Sequence, residues 1–300
     1  MPLSDPAGGR PGSALAGYAA VAAAAATWGT LGLASRSLFA AGMTPLDAAT
    51  WRAVGGCVLL LLYGLATDRR ALRVPTGDLP LFAAYGLVGV AGFMTVYYTA
   101  IALTTVATAA VLLYTAPAWV VLLARLLFGE PLSRPKAAAV AAVVAGCALV
   151  AGGGGPLRPS GLGVLAGLGA GLTYSLYSIF GKAALRRYAP LTTVIYALGV
   201  GGIVLLLAAG GLPPVPAAAV APLAYTVAGP TALAYLLYTS GLRRVEAGRA
   251  SVVATIEPVV AAAGSAVLLR EPLGPAQWLG AALVLAGVLV VQGGRATSET

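Results

Sequence analysis

Histidine is absent from this chain, only nine of its 300 residues are acidic, and two are cysteine. Each shortage removes a class of chemistry. Without histidine, and without clustered aspartates, a membrane-embedded hydrolase or phosphotransferase lacks its usual base and metal ligands. Cys57 and Cys147 both sit in apolar runs, with no Cys-X-X-Cys spacing, so they read as small buried hydrophobes and no metal site is expected. No phosphate-binding P-loop is present, so neither ATP nor another cofactor is expected. Charge is the largest shortage: 9% of residues are charged, against about 25% in a soluble domain.

What fills the chain is apolar. Hydrophobic residues make up 59% and the mean hydropathy is +0.91, so a polar surface for a soluble protein cannot be built. The apolar runs do not alternate with polar residues, which excludes an outer-membrane barrel. The net charge of +9 comes from arginines scattered between apolar runs, not from a basic face mixed with aromatics, so no nucleic-acid partner is expected. The composition predicts an all-α integral membrane protein in contact with the lipid bilayer.

Ten runs have about the 20-residue length that crosses hydrocarbon: 15–36, 47–66, 79–100, 105–127, 136–152, 161–181, 190–209, 217–240, 248–269 and 276–292. Short connections rich in Pro, Gly and Arg separate them, and 1–13 and 295–300 read as polar tails. With the N-terminus placed in the cytoplasm, fourteen of the eighteen basic residues fall on that side, and only Arg36, Arg52, Arg158 and Arg270 fall on the other. The positive-inside rule therefore predicts that both termini are cytoplasmic.

The two halves of the chain match. At an offset of 141 residues, 97–153 lies over 238–294 without a gap. Tyr97 meets Tyr238, Pro117 meets Pro258, Glu130-Pro131-Leu132 meets Glu271-Pro272-Leu273, and Gly152-Gly153 meets Gly293-Gly294. Apolar helices resemble one another by chance, but coincident prolines and an E-P-L triplet at one offset do not follow from hydrophobicity alone. Two units are therefore expected, 14–153 and 154–294. Each has five runs, an odd number, so the second would enter the membrane upside down, the arrangement of inverted-repeat carriers. The repeat also argues that the first run is retained and is not a cleaved signal peptide.

Four stretches carry a family resemblance. They are W-G at 28–29, P-L-D-A-A-T-W-R-A at 45–53, L-L-Y-T-A-P-A-W-V-V-L-L-A-R-L-L-F-G-E-P-L-S at 112–133, and A-T-I-E-P-V-V-A-A-A-G-S-A-V-L-L-R-E-P-L-G at 254–274. Over about residues 14–294 the chain resembles the drug/metabolite transporter superfamily, in its ten-helix branch built from two EamA domains. The resemblance implies a bacterial cytoplasmic-membrane carrier for amino acids, related metabolites or amphipathic drugs, commonly outward. It further implies a central cavity between the first, third, fourth, sixth, eighth and ninth helices. Arg52 departs from the duplication, because the second half offers no basic residue in the matching stretch V-I-Y-A-L.

Pro117, Pro230 and Pro258 lie inside runs. Each lacks an N–H, which leaves the carbonyls of Leu113, Thr226 and Ala254 without their helical donors. Either these breaks form part of a substrate site, or they are packed kinks. Trp28, Tyr97, Tyr98, Tyr114, Trp119, Tyr174, Tyr177, Tyr235 and Tyr238 fall on runs assigned to the cavity by the resemblance. Such side chains suit amphipathic or cationic substrates, although aromatics at run ends also form interfacial belts. Gly163, Gly167 and Gly171 predict close helix packing. Glu130 and Glu271 are expected to cap or to pair with Arg134 and Arg270, and Lys182 and Arg36 to snorkel.

Glu257 is the one carboxylate well inside a run, and its counterpart is Ala116. It is a candidate to carry a coupling proton or to bind a substrate ammonium; the alternative is a structural glutamate, neutral or paired with Arg52. The leading expectation is a secondary transporter of a small molecule, with a channel or scaffold as the competing reading.

Overall fold

The computed structural model describes residues 11–103, 109, 112–152, 161–268 and 274–293, and every regular element among them is helical. Six helical stretches are long and apolar enough to cross a membrane: 13–40, 45–67, 76–97, 161–184, 190–208 and 217–244. The outward faces carry Leu126 (70% exposed), Leu207 (76%) and Leu289 (67%), a surface suited to lipid and not to water.

In the first half, α1 (Pro11–Gly29) and α2 (Leu31–Ala40) are joined at Thr30. The run 15–36, expected as one helix, is therefore interrupted. Thr30 turns its hydroxyl onto the Thr27 carbonyl (2.7 Å) and meets the Tyr225 hydroxyl at 2.6 Å. Next, α3 (Pro45–Thr67) opens on T-P-L-D. The Thr44 side chain accepts from Asp47 N and the Asp47 carboxylate accepts from Thr44 N, with Pro45 placed where a helix needs no N–H. A longer helix follows as α4 (Leu79–Ala84), a π-helical stretch (Tyr85–Gly92) and α5 (Phe93–Leu103). Beyond a turn at 114–115 come α6 (Ala116–Phe128) and α7 (Arg134–Gly152).

The second half runs α8 (Gly161–Ala184) and α9 (Pro190–Ala208), then α10 (Val220–Thr226), a π-helical stretch (Val227–Leu233) and α11 (Ala234–Arg244). It closes with α12 (Ala247–Ala254), a turn at Thr255, α13 (Ile256–Leu268) and α14 (Pro275–Gly293). The turns at 114 and 255, and the starts of α7 and α14, are separated by the same 141 residues as the sequence match. The π-helical stretches correspond too, yet only the second contains a proline, Pro230. A proline is thus not what widens the helix in the first half.

Packing crosses between the halves in a reciprocal pattern. Helix α1 lies against α11 and the α12–α13 pair, while α8 lies against α5 and α6. Helices α3 and α9 pack together, as do α6 and α12, and α7 packs most extensively on α14. Neither half buries its apolar surface alone, so the core is shared.

Candidate functional site

The site is built where two interrupted helices meet α8. At the first interruption, Thr115 donates its hydroxyl to the Leu112 carbonyl (2.7 Å); at the second, Thr255 does the same to Val252 (2.5 Å). These hydroxyls bend back onto the preceding turn and satisfy carbonyls near the lost helical bonds. A glycine of a facing helix lies under each break. A Cβ on Gly171 would sit 2.7 Å from Thr115 Oγ1, and one on Gly29 would sit 2.8 Å from the Glu257 carbonyl oxygen. Only glycine lets the backbones approach this closely.

Between the breaks is a small cavity lined by Tyr114, Ala116, Pro117, Tyr174, Ser251, Ala254, Thr255 and Glu257. Its ≈ 10 Å³ of room for the centre of a water molecule is about what one water requires. The Glu257 side chain thus joins residues of both halves. Ion pairs among the described residues join Lys136 to Glu130 and Glu246, Arg187 to Asp78, and Arg249 to Glu246. Glu257 is in none of them, so the alternative of a structural pair with Arg52 is not among these contacts.

The remaining aromatics are distributed unevenly. Tyr97 stacks on Phe93 (5.7 Å between centroids), which in turn meets Tyr174 at 5.3 Å, so this row borders the cavity. Trp28, Tyr177, Tyr235 and Tyr238 form a separate buried cluster with centroid separations of 5.1–6.2 Å. Tyr238 and Ser178 are joined through their hydroxyls at 2.6 Å. Among the described residues, the buried hydroxyls of Tyr85 and Tyr177 have no geometrically well-formed hydrogen-bond partner. Trp119 is half-buried on α6 and does not line the cavity, and the Tyr98 side chain lies outside the described residues. Pro258 is buried at the start of α13 beside Glu257.

The third helix break is closed by residues from far along the chain. Across the π-helical stretch, Thr231 donates to the carbonyl of Thr226 (2.8 Å), the group deprived of its donor by Pro230. Arg52 Nε donates to Thr231 Oγ1 (3.1 Å), and the Trp28 indole N–H donates to the Pro230 carbonyl (2.8 Å). Arg52 was not among the residues expected to line a site. Its signal in the sequence was a basic residue inside an apolar run with no counterpart in the other half.

A second polar cluster ties the halves together. The Glu130 carboxylate accepts from the N–H groups of Ala247 (2.8 Å) and Gly248 (3.2 Å), so it caps α12 from across the molecule. Its charged partner is Lys136, not the expected Arg134: the ammonium bridges Glu130 (3.3 Å) and Glu246 (3.1 Å). Gly129 at φ 70° ends α6 and turns the chain toward this joint. Lys182 donates to the carbonyls of Leu242 and Val245 at the end of α11 instead of only reaching for solvent. Glu271 and Arg270 lie outside the described residues, as does the side chain of Arg36.

Apolar helices with lipid-suited faces, broken around a small cavity that Glu257 lines, define a multi-pass helical membrane protein. The chain belongs to the EamA-like transporter family, whose pattern it matches twice, over residues 15–152 and 161–292. It is 29% identical to a transporter of Archaeoglobus fulgidus, over 91% of this chain and 95% of that one. It is 28% identical to the Bacillus subtilis transporter YwfM, over 89% and 90% of the two chains. It is also 28% identical, over 78% of this chain and 80% of the other, to a protein of Streptantibioticus cattleyicolor named "Probable terminal-alkyne amino-acid exporter". A solved crystal structure with 22% identity superposes at a TM-score of 0.79, covering 97% of this chain and all of its own, and supports the fold.

Proposed function

We propose that this protein is a secondary transporter of amino acids or related small metabolites, working by alternating access in the bacterial cytoplasmic membrane, in the outward direction. In this reading ten helices form two inverted five-helix repeats with both termini cytoplasmic, and the tails 1–13 and 295–300 stay in the cytoplasm. The observation that carries it is the carboxyl of Glu257, without an ion-pair partner among the described residues, in a cavity bounded by both breaks. A carboxyl at that depth needs a partner, and a substrate ammonium or a coupling proton supplies one. The reciprocal packing of the halves supports an exchange in which one unit rocks against the other. The 28% identity to a protein named as an amino-acid exporter favours that substrate class and direction.

The function test is a thermal-shift screen of amino acids and cationic amphiphiles on the purified full chain, followed by counterflow in proteoliposomes with any hit. Counterflow of an amino acid is expected; stabilisation by none of them, with no counterflow, would overturn the substrate class. For topology, single cysteines at positions 70 and 244 are expected to react only from the cytoplasmic side, and labelling of either from outside would overturn it.

A further inference from the structure

A buried arginine and a half-buried glutamate, each tied to the same step of α1, form no ion pair with one another among the described residues. Arg52, on α3, is 7% exposed and uses one of its five N–H donors on Thr231. Glu257, on α13, lines the cavity, and no ion pair or hydrogen bond joins its carboxyl to another described residue. Both residues are linked to one step of α1. Gly29 backs onto the Glu257 carbonyl, while the neighbouring Trp28 holds Pro230, next to the threonine that Arg52 grips. A charge withdrawn from water without a partner is unfavourable, so each residue has a physical reason to take one.

We infer that Arg52 and Glu257 are the two poles of the substrate site: Glu257 takes the ammonium of a zwitterionic amino acid and Arg52 takes its carboxylate. This rests on the transporter reading above and assigns to Arg52 a role that reading does not contain. A guanidinium presents a fork of donors that matches a carboxylate, and a carboxylate accepts readily from an ammonium. The zwitterion adds no net charge, so the loaded site holds two ion pairs where the empty one held two isolated ions. A ligand with only one of the two charges leaves the opposite pole desolvated and unpaired. Sites of that kind reject the incomplete analogue far more strongly than an apolar pocket rejects a missing methylene.

The test uses three probes of one carbon skeleton on the purified full chain: L-leucine, 3-methylbutylamine (leucine without its carboxylate) and 4-methylpentanoate (leucine without its amine). Affinities are read by calorimetry. Leucine should bind the wild type at least about tenfold more tightly than either analogue. Arg52→Gln should reduce leucine to the level of the amine and leave the amine within about twofold of its wild-type affinity. Glu257→Gln should do the same with respect to the acid. The inference fails if the wild type binds the amine as tightly as leucine. It also fails if Arg52→Gln weakens leucine and amine equally, the result expected if Arg52 only supports the helix break or pairs with Glu257 directly. Binding of none of the three probes to the wild type would instead remove the amino-acid reading itself, and this inference with it. Should Arg52→Gln not fold, the wild-type comparison of the three probes still decides.

Discussion

At the first interruption the chain reads Y-T-A-P, and at the second T-I-E-P. Both carry a threonine that folds its hydroxyl back, both have a proline just beyond the turn, and both rest on a glycine of a facing helix. They differ in what they present to the cavity. The first offers Tyr114 and Ala116, and the second offers Ser251, Thr255 and Glu257. Backbone geometry is therefore duplicated while side-chain chemistry is not. Bending a helix needs only a few special positions, which survive in both copies, whereas a cavity between two copies needs just one charged wall.

The largest effect that would sharpen this contrast is on transport. Glu257→Gln is expected to reduce leucine counterflow at least about a hundredfold with an unchanged folded yield. The matching change in the other wall, Ala116→Ser, should be tolerated. Retained counterflow in Glu257→Gln would make the two breaks equivalent after all.

The next effect concerns the ends of the helices. Lys136 and Gln277 occupy matching positions, but Lys136 bridges two carboxylates while Gln277 accepts from the Gly274 N–H at the start of α14. Removing one member of a buried ion pair costs about 3–5 kcal/mol. Lys136→Met should therefore lower the melting temperature in detergent far more than Gln277→Ala, which gives up a helix cap worth about 1 kcal/mol. Equal shifts would show that the joint at Glu130 contributes no more than its counterpart.

A smaller pair of changes tests the shared geometry. Gly29→Ala and Gly171→Ala each place a methyl within 3 Å of a facing oxygen. Overpacking of this kind costs about 1–3 kcal/mol, and the two losses should be similar in melting experiments. A loss confined to one would separate the breaks structurally as well as chemically.

The smallest expected effect is at the π-helical stretches. The first widens without a proline, so Pro230→Ala should keep the second widened and shift stability by less than about 1 kcal/mol. A loss as large as that of the glycine variants would mean that Pro230 sets the break.

Much of the site's framework was legible in the sequence because prolines and duplicated motifs act locally. Pro117 and Pro258 marked the interruptions, and the missing counterpart of Glu257 marked the odd wall of the cavity. The break at Thr30 carried no proline; its threonine hydroxyl meets Tyr225, almost two hundred residues away, a contact the local sequence does not announce. The partner of Glu130 was misread because charge proximity in sequence favoured Arg134, whereas the fold brings up Lys136 together with the start of α12. The clustered aromatics were legible as a group. Their division between a cavity row and a packed cluster depends on rotation about each helix axis, which adjacent apolar residues do not specify.

Trp28 has a consequence for light. Its indole is buried, its N–H is committed to the Pro230 carbonyl, and two tyrosine rings lie 5.3 and 5.4 Å away. Excitation absorbed by those tyrosines drains into this indole, and its emission is tuned by the carbonyl it holds. With Trp51, Trp119 and Trp278 replaced by phenylalanine, the protein would carry its own optical reporter, one whose colour follows whether α1 is still fastened to the broken helix beside it.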